Sequence, residues 1–175
     1  PPPALGDPAI ARQAVPAEWY RIVTEGNLEK LMPPFASLSD RERWDVVAYA
    51  LDLSANPVAR EQVQEIYQVF CQDCHGPQGA GDGPMATEKT PSFTDLEWMA
   101  SRTQAEFFER ITQGSGMSMP SYESDLDEEQ RWAIAAYVQG LAYVGSQGQL
   151  AEPVTQPEAA PTDAGVPAEG VAGLG

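Results

Sequence analysis

Both cysteines and the only histidine of the chain fall within five positions, inside the stretch VFCQDCHGPQGAGDG at residues 69–83. Cys71, Cys74 and His75 form the Cys-x-x-Cys-His pattern of covalent haem attachment. Thiols three apart at the end of a helix reach the two vinyl groups of one porphyrin, and the adjacent imidazole is then held over the iron as the proximal ligand. His75 would bind through one ring nitrogen, and the other needs an acceptor to fix the ring; the carbonyl of Pro84, in the Gly-rich turn GPQGAGDGP, is the candidate. Three other readings compete. A zinc site would need a carboxylate as fourth ligand, since the chain has no further Cys or His. A redox dithiol would want a strand ahead of the motif, and a pair of core cysteines beside an exposed histidine is the bland alternative.

The motif sits at the end of a helical pattern. REQVQEIYQVF carries Val63, Ile66, Tyr67 and Phe70 at i, i+3, i+4 and i+7, one apolar face leading into Cys71. SDRERWDVVAYALDL opens with Ser39 and Glu42 in capping-box spacing and places Val46, Tyr49, Ala50 and Leu53 on one face. DEEQRWAIAAYVQGL repeats the design with Asp127, Gln130, Ile134, Tyr137, Val138 and Leu141. Shorter helices are expected at 16–23 and 103–111. No segment alternates with period two, so strands are absent or trivial.

One protein ligand leaves the iron open on its other face. Met85, Met99, Met117 and Met119 are the candidates for the sixth position, although methionine is more often a core filler. The stretch GMSMPSYESDL favours Met119 over Met117. Glycine frees the approach, Pro120 biases Met119 toward an extended backbone, and an earlier Met-Pro pair copies it.

That earlier pair belongs to an internal repeat with a period of about 88 residues. LGDPAIARQAVPAEWYRIVTEGN matches FTDLEWMASRTQAEFFERITQGS without a gap, pairing Asp7 with Asp95, Val23 with Ile111 and Gly26 with Gly114. Further on, Met32-Pro33 answers Met119-Pro120, Trp44 answers Trp132 and Tyr49 answers Tyr137. Nothing in the first copy matches FCQDCHG. Three units follow: a partial one at 1–56, a complete one at 57–145, and a Pro/Ala/Gly/Glu-rich tail at 146–175 whose composition cannot offset the entropy of ordering.

The formal net charge of −16 disfavours nucleic acid and anionic membrane surfaces and favours a partner with a basic docking face. The longest apolar run, WAIAAYV at 132–138, is far short of the roughly 20 residues of a membrane span. No nucleophile–base constellation is evident.

IYQVFCQDCHGPQGAGDGP, ITQGSGMSMPSY and LDEEQRWAIAAYVQGL together resemble class I c-type cytochromes of the kind grouped with subunit III of cbb3-type oxidases. The resemblance covers residues 58–143 and implies an all-α cytochrome c fold in which helix 60–70 packs crosswise on helix 127–142. It implies haem c, with thioether bonds to Cys71 and Cys74, His75 proximal and Met119 distal. Many members carry glycine where this chain has Val63, so a wider or shifted crossing is expected. Residues 1–56 resemble the back half of the same fold, which implies a di-haem chain and makes Met32 the distal ligand of a haem whose attachment segment is not in this sequence; a partial sequence is favoured over a unit that has lost its haem and over a half completed by another polypeptide.

Covalent haem attachment in this family implies a periplasmic or otherwise extracytoplasmic location. The function implied is a single-electron carrier, not an enzyme in itself, in a respiratory or photosynthetic chain. The alternatives are a haem-bearing docking module of a larger membrane complex, or an open-site haem enzyme or sensor. Phe93, Trp98 and Tyr122 are expected near the ring, and Asp82, Glu88, Glu123 and Asp125 are candidates for a docking face.

Overall fold

The structure is a computed structural model and describes residues 3–54 and 57–143. The tail at 146–175 lies outside the described residues. Among these residues the chain forms α1 (Pro8–Ala11), α2 (Pro16–Glu25), a 3-10 turn (Leu28–Lys30), α3 (Asp40–Asp52), α4 (Arg60–Phe70), α5 (Gln72–His75), α6 (Leu96–Ala100), α7 (Gln104–Gln113) and α8 (Glu128–Gly140). Two isolated bridges are the only extended pairings among them. The expected all-α class holds, and α1 and α6 are single turns too short for periodicity to reveal.

Local chemistry sets the helix ends. Ser39 with Glu42, and Asp127 with Gln130, form the two capping boxes that the spacing predicts, and Thr103 with Glu106 adds a third at α7. Each box satisfies backbone N–H groups that a helix start leaves without partners. Pro16 opens α2, where its missing N–H costs nothing. Helices α2 and α7 end on Gly26 and Gly114, both with positive φ.

The repeat is visible in the elements. Helices α1, α2 and α3 begin at 8, 16 and 40, and α6, α7 and α8 begin at 96, 104 and 128, the same offset three times. Equivalent rings stack in each copy: Tyr20 lies on Trp44 with centroids 4.3 Å apart, and Phe108 lies on Trp132 at 4.0 Å.

Two cores result. The larger is built from α4, α7, α8 and the loop carrying Phe93, and it holds Val63, Ile66, Tyr67, Met99, Phe107, Ile111, Ile134 and Val138 among its buried residues. Val63 is buried in this core, as are Ala133 and Ala135 of α8. The smaller core contains only Ala14, Val23, Val47 and Leu51, flanked by Trp19, Tyr20, Met32, Trp44 and Tyr143.

Of the face expected for α3, Ala50 is buried, but Val46, Tyr49 and Leu53 are exposed, and α3 buries Val47 and Leu51 beside Ala50 in their place, with α2 packed against it. The physical reason lies in the repeat. On α8 the equivalent positions are Ile134, Tyr137 and Leu141, which pack in the core that α4 closes. Among the described residues α3 has no helix corresponding to α4, so its equivalent face stays open.

Candidate functional site

Helix α4 delivers the motif. Its last turn runs into Cys71, where the helix breaks at a widened φ of −119° with ψ −35°, still in the right-handed helical region, and α5 then carries Cys74 and His75 on one further turn. The break lets the amides of Cys74 and His75 both donate to the Cys71 carbonyl, at 3.2 and 2.9 Å. The buried Tyr67 hydroxyl donates to the Gly76 carbonyl at 2.9 Å and pins the chain just past His75. Sequence reasoning counted Tyr67 only as part of an apolar face; the available signal was a polar tip on a face destined for burial, which needs a partner.

The Gly-rich loop folds back over the motif. The amide of Met85 donates to the Asp73 carbonyl at 2.8 Å, and that of Gly81 to the His75 carbonyl at 2.8 Å. Gly83 is buried so closely against the Gln72 and Asp73 carbonyls that a Cβ there would overlap backbone. Glycine is required by this close approach.

The imidazole of His75 stacks on Phe93, with ring centroids 4.4 Å apart and planes inclined by 20°. Burial lowers the His75 pKa, partly opposed by the backbone carbonyl of Pro91, and the ring is therefore held neutral, the form that binds metal. Nδ1 is buried and lacks a partner at full hydrogen-bond geometry. The carbonyl that faces the imidazole is that of Pro91 and not of Pro84, because the loop carries Pro84 out to an exposed position while 91–93 returns beneath the ring.

Cys71 and Cys74 are both free and half-buried. Burial, with Cys74 adding to it, pushes the Cys71 thiol up to about 12. Disulfide exchange and thiolate ligation both favour a depressed thiol pKa, so this environment runs against a reactive dithiol. Among the described residues no group of three or more His, Cys, Asp and Glu converges as a metal cluster. The set that is present, two free thiols three apart and a half-buried imidazole whose pKa burial lowers, fits a covalently attached haem.

The four methionines separate by position. Met99 is fully buried in the core, while Met85 and Met117 are exposed. Met119 is half-buried and packs on the same core cluster as Cys71, Trp98 and Tyr122. Its loop is fixed at both ends: Ser115 donates to the Met119 carbonyl at 2.8 Å, and Tyr122 donates to the Ile111 carbonyl at 3.0 Å. A Cβ on Gly114 would come within 2.6 Å of the Met119 carbonyl oxygen. The Tyr122 hydroxyl, its pKa raised to about 12 chiefly by burial, donates to the Phe70 carbonyl at 2.8 Å and ties this loop to the end of α4.

The loop around Met32 is built in the same way. Asn27 donates to the Met32 carbonyl at 2.8 Å, Phe35 donates to the Val23 carbonyl at 3.1 Å, and a Cβ on Gly26 would meet the Met32 carbonyl oxygen at 2.7 Å. Met32 is half-buried against the smaller core.

Phe93 and Tyr122 stand beside the motif, and Trp98 packs on the same cluster, 6.2 Å from the Phe107 ring. No helix among the described residues is long and apolar enough to cross a membrane.

The model of the family "Cytochrome C oxidase, cbb3-type, subunit III" matches residues 2–49 and 58–138. The cbb3-type cytochrome c oxidase subunit FixP of Bradyrhizobium diazoefficiens is 32% identical over 100 residues, covering 55% of this chain and 33% of the relative. Subunit CcoP of Rhodobacter capsulatus is 31% identical over 107 residues, covering 55% of this chain and 35% of the relative. The chain thus spans about a third of the length of these curated relatives. A solved structure, the KustC0563 c-type cytochrome, superposes with a TM-score of 0.39 at 25% identity, covering 45% of this chain and 94% of the other. With the family model matching both copies of the repeated elements, this chain belongs to the cbb3-type cytochrome c oxidase subunit III family.

Proposed function

We propose that residues 57–145 hold one haem c through Cys71 and Cys74, with His75 and Met119 as axial ligands, and that the domain passes single electrons. The observation that carries this reading is the sorting of the two loop methionines, Met119 turned onto the core that contains the motif and Met117 fully exposed. Bound haem supplies a one-electron iron couple, and a Met/His ligand pair raises its potential and closes it to substrates. The chain's own part is positional. Phe93 holds the imidazole plane, Pro91 offers its carbonyl, and Tyr67 and Gly83 fix the turn carrying the thiols.

The acidic surface selects a redox partner with a basic docking face, by steering more than by contact energy. By its family the domain serves in a cbb3-type oxidase complex on the extracytoplasmic side of the membrane.

Met119→Ala tests the ligand assignment. We expect a lower reduction potential, loss of the near-infrared band of Met-ligated haem, and binding of carbon monoxide at neutral pH, with none of these in Met117→Ala. Ready carbon monoxide binding by the unaltered protein would sink the carrier reading in favour of an open-site haem enzyme or sensor.

Residues 1–56 are the distal half of a second unit, and Met32 is the distal ligand of a second haem. The open α3 face and the matching glycine-tied loop support this reading. The intact mass of the full-length gene product decides it: two haems per chain are expected, and one would leave the first unit as a haemless support.

A further inference from the structure

Each repeat unit contains a cationic side chain lying on an aromatic pair, and each stack is closed by a fourth side chain from the other unit. In the second unit, Arg131 lies over Phe108 at 5.4 Å, Phe108 stacks on Trp132, and the outer face of Trp132 carries the Arg12 guanidinium of the first unit at 4.0 Å. In the first unit, Arg43 lies over Tyr20 at 5.5 Å, Tyr20 stacks on Trp44, and Trp44 carries Tyr143, which follows α8, at 5.7 Å.

The first three layers are copies of each other at the repeat offset. The fourth layers are not. The repeat equivalent of Arg12 is Ala100, and that of Tyr143 is Ala55. The two side chains that cross between units stand where the repeat is broken, as residues selected for an interface would.

Three further features agree. The Arg12 carbonyl accepts from the Ala105 amide at 3.0 Å, so the first unit satisfies one of the free N–H groups in the opening turn of α7. Arg12 also shares a groove with Asp127, Glu128 and Glu129, carboxylates that favour a cation there. Finally, Ala11 and Pro16 on either side are almost completely buried although α1 is a single turn. The apolar cluster of the first unit, with Ala14, Val23, Val47 and Leu51 as its buried members among the described residues, is small for a unit of this size, and Tyr143 extends it.

We propose that Arg12 and Tyr143 form a reciprocal clasp that makes the two repeat units one cooperative body, the first unit depending on it for its fold. The clasp holds the Met32 and Met119 loops in one fixed relation whether or not a second haem is bound, so it stands apart from the ligand assignments above.

Hydrogen–deuterium exchange on the full-length holoprotein tests this. In the unaltered protein, α2 and α3 should exchange at rates comparable with α7 and α8. In Arg12→Ala/Tyr143→Ala, the α2 and α3 amides should exchange at least about tenfold faster, with those of α4 and α8 changed less than about twofold. Tyr143→Phe keeps the ring and removes a hydroxyl that is buried without a partner, and should leave exchange as it was. Arg12→Lys keeps the charge without the planar group and should fall between. Equal exchange of α2 and α3 in the double alanine variant and the unaltered protein overturns the clasp, as does fast independent opening of the first unit in the unaltered protein. If the double variant fails to accumulate, the two milder variants carry the test, and identical exchange in Arg12→Lys and the unaltered protein rejects the stacking role.

Discussion

Tyr67 shows how much of the site depends on a group that neither attaches nor ligates. Its hydroxyl, buried at the end of α4, is the donor to the Gly76 carbonyl. In Tyr67→Phe that carbonyl loses its donor, and a buried unsatisfied acceptor costs about 1–3 kcal/mol. We expect a loss of that size in denaturant unfolding, together with a weakened Met-ligation band, because the turn just past His75 is what the bond fixes. The cysteines and the histidine could be read from sequence because spacing along a chain is all the attachment chemistry needs. The carbonyl facing His75 could not, because Pro84 is the nearer of the two in sequence and only the return of the loop at Phe93 brings Pro91 to the ring.

Helices α3 and α8 carry nearly the same pattern and the same caps, yet they bury different faces. Amphipathic periodicity reports which residues are apolar, and it is silent on whether a neighbour is there to cover them. The sequence pattern therefore located both helices and both capping boxes, and named the right face only where α4 is present to pack on it. Matched truncations make the difference measurable. Ile134 is 1% exposed and Val46, its repeat equivalent, is 43% exposed. Ile134→Ala should cost about 2–5 kcal/mol and Val46→Ala under about 0.5 kcal/mol in chemical denaturation of this chain. A comparable loss at both positions would mean that α3 is covered in solution.

Across the whole molecule, the charge of −16 is not offset by internal pairing. The ion pairs among the described residues are all local, three or four positions apart and mostly exposed, so they contribute little to stability. Self-repulsion of the remaining carboxylates should make added salt stabilising. We expect the melting temperature to rise between low and physiological ionic strength, while association with a basic redox partner slows over the same range. Opposite salt trends in stability and encounter rate would separate the general field from the Arg12 contact, which salt can only weaken. The repeat has one more consequence at this scale. Each distal loop is bracketed by its own glycine, its own bridge and its own pair of helices, and the second is tied to the motif helix through the Tyr122 hydroxyl on the Phe70 carbonyl. The hairpins are therefore one part used twice with a single difference: Phe35 stands where Tyr122 does, so a first-loop hairpin set in the second position would carry its ligand but leave the Phe70 carbonyl without its hydroxyl donor.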